Sequence, residues 1–148
     1  MVSSIFIIIF SAVLFVYWFR YTCVLILRSK TPQDYSDQVV AANQLSYPAV
    51  EEQLRGARSS AEFDTLVGSL QRDYRLLSYL LSHAAGMDIG GCTLEQRMLM
   101  IDFRIMQVWY AVTRRCAVGQ AREALQEMAQ VLHNLANAMG ERAACPIE

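Results

Sequence analysis

Residues 5–27 read IFIIIFSAVLFVYWFRYTCVLIL. From Ile5 to Phe19 only Ser11 interrupts the apolar run, and after Arg20 the apolar character resumes from Tyr21 to Leu27. A helix over this stretch is about 34 Å long at roughly 1.5 Å per residue, enough to cross a hydrocarbon core of about 30 Å with some tilt. No Lys or Arg precedes the run and no A-x-A-like site follows it. Trp18, Phe19, Arg20 and Tyr21 are bulky where signal-peptide cleavage needs small residues, so the segment reads as a retained anchor.

Charge around the span predicts its orientation. The leading end has only its α-amine, whereas Arg20, Arg28 and Lys30 follow. The positive-inside rule then places the N-terminus outside and the bulk of the chain in the cytoplasm, as a single-pass protein of the inner (plasma) membrane. Tyr17, Trp18 and Tyr21 suit an interfacial aromatic belt, and Arg20 can snorkel its charge to the same level. Residues 1–30 thus form an anchor and an interfacial stalk. Ser4, Ser11, Trp18 and Thr22 fall near one helical stripe, with Ala12 beside it. This stripe either lets a second membrane helix approach closely or contains hydroxyls that bond their own backbone carbonyls.

The remaining residues suit one small domain. The formal net charge of −1 provides no basic field for nucleic acid. Cys23, Cys92, Cys116 and Cys145 are scattered without a C-x-x-C pair. They match neither a zinc site nor a disulfide framework, in keeping with a reducing compartment.

Helical periodicity organises this domain, and no strand pattern interrupts it. Thr31-Pro32-Gln33-Asp34 carries a capping residue, a first-turn proline and an N-terminal acid, which predicts a helix to about Leu45. Its apolar face is thin: Tyr35, Val39 and Ala42. Pro48 restarts a short helix that ends near Gly56, so 31–56 reads as a connector arm with limited core contact. Ser59 and Glu62 form a capping box before an amphipathic helix that stops at Gly86. A glycine-containing loop, 86–92, leads to a second box, Thr93 with Gln96.

The helix over 93–117 is apolar on most sides. One face carries Leu94, Met98, Ile101, Ile105, Val108 and Val112, and another carries Leu99, Phe103, Met106 and Tyr110, with Trp109 between them. It is too short and too charged, with Asp102 and Arg104 in its middle, to be a second span. A last helix follows Gly119 and ends before Gly140, leaving 141–148 as a loose tail. The expected fold is all-α: one N-terminal transmembrane helix, then a small antiparallel bundle over 57–140 with helix 93–117 at its centre.

Asp73-Tyr74-Arg75 and Asp102-Phe103-Arg104 share one pattern. If the hairpin pivots near residues 89–90, Arg75 lies level with Arg104. Two crossed ion pairs, Asp102 with Arg75 and Asp73 with Arg104, would then lock the register. His83 and His133 lie in no metal-ligand spacing. No phosphate loop, dinucleotide fingerprint or nucleophile–base pair is present, so no catalytic, cofactor or metal residue is assigned. The apolar excess on helix 93–117, placed at Leu99, Met106, Trp109 and Tyr110, is the expected docking surface.

These features predict a non-catalytic accessory or assembly subunit of a larger membrane complex, such as an energy-transducing one. Its partners would be the bilayer and other membrane subunits. The alternative is a membrane-tethered signalling or scaffold adaptor that recruits a soluble protein.

Overall fold

A computed structural model describes residues 2–29, 33–85 and 93–144. The chain divides into two compact units, Met1–Lys30 and Thr31–Glu148. The first is a single helix, α1, Val2–Arg28, long and apolar enough to cross a membrane. Within it Phe15 stacks on Phe19, one turn on, at 6.5 Å between ring centroids. The last turn closes with Ser29, whose hydroxyl donates to the Ile26 carbonyl at 2.7 Å.

The second unit contains five helices and no strand among the described residues. They are α2 (Ser36–Asn43), α3 (Tyr47–Gly56), α4 (Ser60–Ala85), α5 (Leu94–Thr113) and α6 (Val118–Ala144). Both capping boxes form: Ser59 with Glu62 opens α4, and Thr93 with Gln96 opens α5. Thr31, Pro32, loop 86–92 and residues 145–148 lie outside the described residues. Gln33, Asp34 and Tyr35 precede the first helix of this unit, which starts at Ser36 and not at Thr31, and residues 141–144 of the expected loose tail continue α6.

Over residues 33–56 the core contact is more than the limited contact expected of a connector arm. Ser36, Val39, Tyr47, Val50 and Leu54 are buried, and α2 and α3 both pack on α6. In neither helix does the N-cap side chain itself bond the first turn. The Tyr35 N–H donates to Asn137 Oδ1 of α6 at 2.7 Å, and the Ser36 N–H to Asp34 Oδ1 at 2.9 Å. At the start of α3 the Ser46 and Tyr47 N–H groups donate to Asp73 Oδ2 of α4, at 2.6 and 2.7 Å. Side chains from the bundle thereby satisfy amide donors that a short helix leaves open.

The centre of the unit is α6, not α5. It packs against α2, α3, α4 and α5. Its buried face intersperses Ala121, Ala124, Ala129 and Ala136 with Leu125, Met128, Leu132 and Leu135. The alanines let four neighbours approach closely, and the larger residues fill the space between them. Gly140 lies inside α6 rather than beyond its end, because α2 crosses there: a Cβ on Gly140 would collide with Tyr35 Cβ. Between α4 and α5, by contrast, stand the rings of Tyr74 and Phe103, which hold the two helices apart.

Candidate docking surface

The two Asp-aromatic-Arg tripeptides meet at the α4–α5 interface. Tyr74 stacks on Phe103, with centroids 4.2 Å apart and planes inclined by 2°, and the Tyr74 hydroxyl donates to the Met100 carbonyl at 3.3 Å. Nearer the other end, Asp64 Oδ1 accepts from the Tyr110 hydroxyl at 2.8 Å and from the Arg114 guanidinium at 2.7 Å. Low residue numbers on one helix thus face high numbers on the other, so α4 and α5 run antiparallel in nearly the anticipated register.

The crossed ion pairs themselves do not form. Among the described residues no ion pair joins Arg75 to Asp102 or Arg104 to Asp73. Successive helical residues are rotated by about 100°. When the central aromatic faces the partner helix, its preceding Asp and following Arg point to opposite sides. In an antiparallel pair the two senses of rotation place both aspartates on one side and both arginines on the other. Asp73 and Asp102 accordingly face the interior and are buried. Arg75 and Arg104 rim an open groove of about 550 Å³ whose lining includes Tyr74, Phe103, Gln107 and Val108.

Asp73 serves as the N-terminal cap of α3. Burial pushes its carboxyl above the usual range, against the pull of the two backbone N–H donors. Asp64 is shifted the opposite way: the Tyr110 hydroxyl and then Arg114 hold its carboxyl below the usual range. Burial and the same bond to Asp64 push the Tyr110 phenol up to about 12. The sequence signal for the Asp73 cap was indirect, since Ser46-Tyr47-Pro48 opens a helix whose acceptor lies 26 residues away.

The apolar faces of α5 are assigned the other way round from expectation. Leu99, Met106 and Tyr110 are core residues, each no more than 5% exposed, together with Phe103. Of the four anticipated docking residues only Trp109 reaches the surface, at 47%. The exposed stripe is Leu94, Ile101, Val108 and Val112, with the half-buried Met98 and Ile105 between them. Specific partners distinguish the buried face: Phe103 stacks on Tyr74, and the Tyr110 hydroxyl finds an acceptor in Asp64 at the edge of the core.

On α1, Tyr17, Trp18, Arg20, Tyr21 and Arg28 occupy the C-terminal part of the helix, while Lys30 lies outside the described residues. Ser4 and Ser11 are exposed. The Thr22 hydroxyl donates to the Trp18 carbonyl at 2.9 Å, the self-satisfying arrangement. His83 lies against Tyr79, with Nδ1 2.9 Å from its carbonyl, and His133 pairs with Asp34 at 3.5 Å. Among the described residues no three His, Cys, Asp or Glu side chains cluster as metal ligands would.

No protein family, curated protein or solved structure matches this chain. The fold and its exposed surfaces therefore carry the functional argument.

Proposed function

We propose that this protein is a non-catalytic accessory or assembly subunit of a larger membrane complex, anchored by α1 and docking through its helical bundle. The observation that carries this reading is the uncovered apolar stripe on α5 in a chain that also has a membrane-length helix. Six large aliphatic residues along one helix face, four of them exposed, form the kind of patch that marks a protein interaction site. A bundle confined near the membrane also has a raised effective concentration at any partner held there. In this reading the N-terminus faces outward and the bundle lies in the cytoplasm, following Arg20 and Arg28 behind the span.

The second reading, a membrane-tethered adaptor that recruits a soluble protein, is favoured by one observation. The Thr22 hydroxyl already bonds its own helix, as it would in a plain tether. Purification in mild detergent with mass spectrometry of co-purifying chains, before and after exchange of α1 for an unrelated single span, separates the two. An accessory subunit loses membrane partners on exchange, whereas a tether keeps its soluble partner. Orientation is tested by cysteines placed at Ser3 and Ser59 after the native cysteines are replaced. An impermeant thiol reagent should label the first and not the second in intact cells, and the reverse pattern would overturn the topology.

A further inference from the structure

The exposed stripe on α5 has a spacing that specifies what can cover it. Leu94, Met98, Ile101, Ile105, Val108 and Val112 follow one another at intervals of four, three, four, three and four residues. This is the seam of a coiled coil, narrower than the broad apolar sector with which an amphipathic helix lies on a bilayer. The buried face of α5 lies on the opposite side of the helix, so covering the stripe requires no rearrangement of the core.

The two flanks of the stripe differ in charge. Arg97 and Arg104 line one flank seven residues apart, and beyond Arg104 the groove leads to Arg75 of α4. All three are exposed. Among the described residues none of them has a carboxylate within ion-pair distance. The other flank carries Glu95 and Trp109. The stripe is thus apolar along its length and basic on one side only.

We propose that this surface receives an amphipathic helix of another protein. That helix is apolar at four-three spacing and carries Asp or Glu on the flank that meets Arg97, Arg104 and Arg75. This inference rests on the accessory-subunit reading and names the chemistry of its partner. Apolar knobs entering the α5 seam supply contact area, and the one-sided charge selects register and direction. A second copy of α5 does not fit. Laid antiparallel on itself it opposes Arg104 to Arg104 near the centre of the seam. Laid parallel it offers Arg97 only the buried Asp102, and Arg104 only Trp109.

Photo-crosslinking tests this in the cell that makes the protein. Benzoyl-phenylalanine is placed in the full chain at Ile101 or Val108, with Gln130 on the exposed side of α6 as the control site. The expected product at both α5 sites, and not at Gln130, is an adduct with a segment of another chain that has four-three apolar spacing and flanking Asp or Glu. Reversing the basic flank with Arg97→Glu and Arg104→Glu should lower its yield by about tenfold. Circular dichroism should remain unchanged, since both side chains are exposed. Four results overturn the proposal: an adduct with lipid, an adduct with a second copy, a partner segment without acids, or a yield indifferent to charge reversal. Absence of any adduct overturns it too. If partner chains still co-purify through α1 while α5 forms no adduct, the helix-docking inference fails and the accessory-subunit reading stands. If neither survives, both fail.

Discussion

Tyr74 and Phe103 lie ring on ring, 4.2 Å apart and inclined by 2°, each the central residue of an Asp-aromatic-Arg tripeptide. The contact joins α4 to α5, and it forms part of the lining of the arginine-rimmed groove. One stacked pair therefore aligns the hairpin, directs two acids inward and exposes two bases.

The stack should be measurable as a coupling. Phe103 is fully buried, and Phe103→Ala should cost about 3–5 kcal/mol in urea unfolding of the detergent-solubilised chain. A double-mutant cycle with Tyr74→Ala should show about 0.5–1.5 kcal/mol of interaction beyond lost burial. Strict additivity would mean the rings merely fill space.

Asp73 is predicted to act through α3. Asp73→Ala leaves the Ser46 and Tyr47 N–H groups without their acceptor and should cost about 1–3 kcal/mol. Asp73→Asn, which keeps an acceptor oxygen, should cost less. Hydrogen exchange in α3 should accelerate more than in α5 if the effect is capping, and uniform acceleration would argue against it.

Two glycines should respond oppositely to alanine. Gly68→Ala meets open space within α4 and should stabilise by about 0.5–1 kcal/mol, through the lower backbone entropy cost of alanine. Gly140→Ala drives a methyl group against Tyr35 and should cost about 1–3 kcal/mol. A shift in thermal midpoint of the same sign for both would contradict the close approach of α2 to α6.

Adjacent aromatics on α5 should separate folding from docking. Trp109→Ala should change stability by no more than about 0.5 kcal/mol, as for an ordinary surface site. Tyr110→Ala, which removes a core ring and its bond to Asp64, should cost about 3–5 kcal/mol. Unfolding curves of the two variants check this directly, and equal losses would place Trp109 in the core.

Asp64 should contribute to the acid limb of stability. Its carboxyl lies below the usual range in the folded chain, held there by Tyr110 and Arg114. The folded value is lower than the unfolded one, so the stabilisation is complete above the unfolded value of about 3.9 and is lost as pH falls through the folded value. The stability advantage of the native chain over Asp64→Asn should shrink as pH falls below about 4. An advantage that grew with acidity would reverse the assigned shift.

Much of this protein is determined locally and can be read from its sequence. The apolar run 5–27 specifies a membrane-length helix by composition alone. The Ser59 and Thr93 boxes mark two helix starts because each cap bonds within three residues of itself. That Arg75 stands nearly level with Arg104 follows from reading the two helices as an antiparallel hairpin, although the stack of Tyr74 on Phe103 does not. Even the four-three stripe on α5 is visible as spacing. Which of the two apolar faces of α5 turns inward is decided only by packing. Both faces satisfy the same helical period, and the choice rests on whether Phe103 and Tyr110 find partners such as Tyr74 and Asp64 on α4. The central place of α6 has the same origin, since small alanines look unremarkable in a sequence until four helices crowd against them. Asp73 could have met a base or capped a helix. Rotation by about 100° per residue carried it away from Arg104 and toward the two open amides at the start of α3.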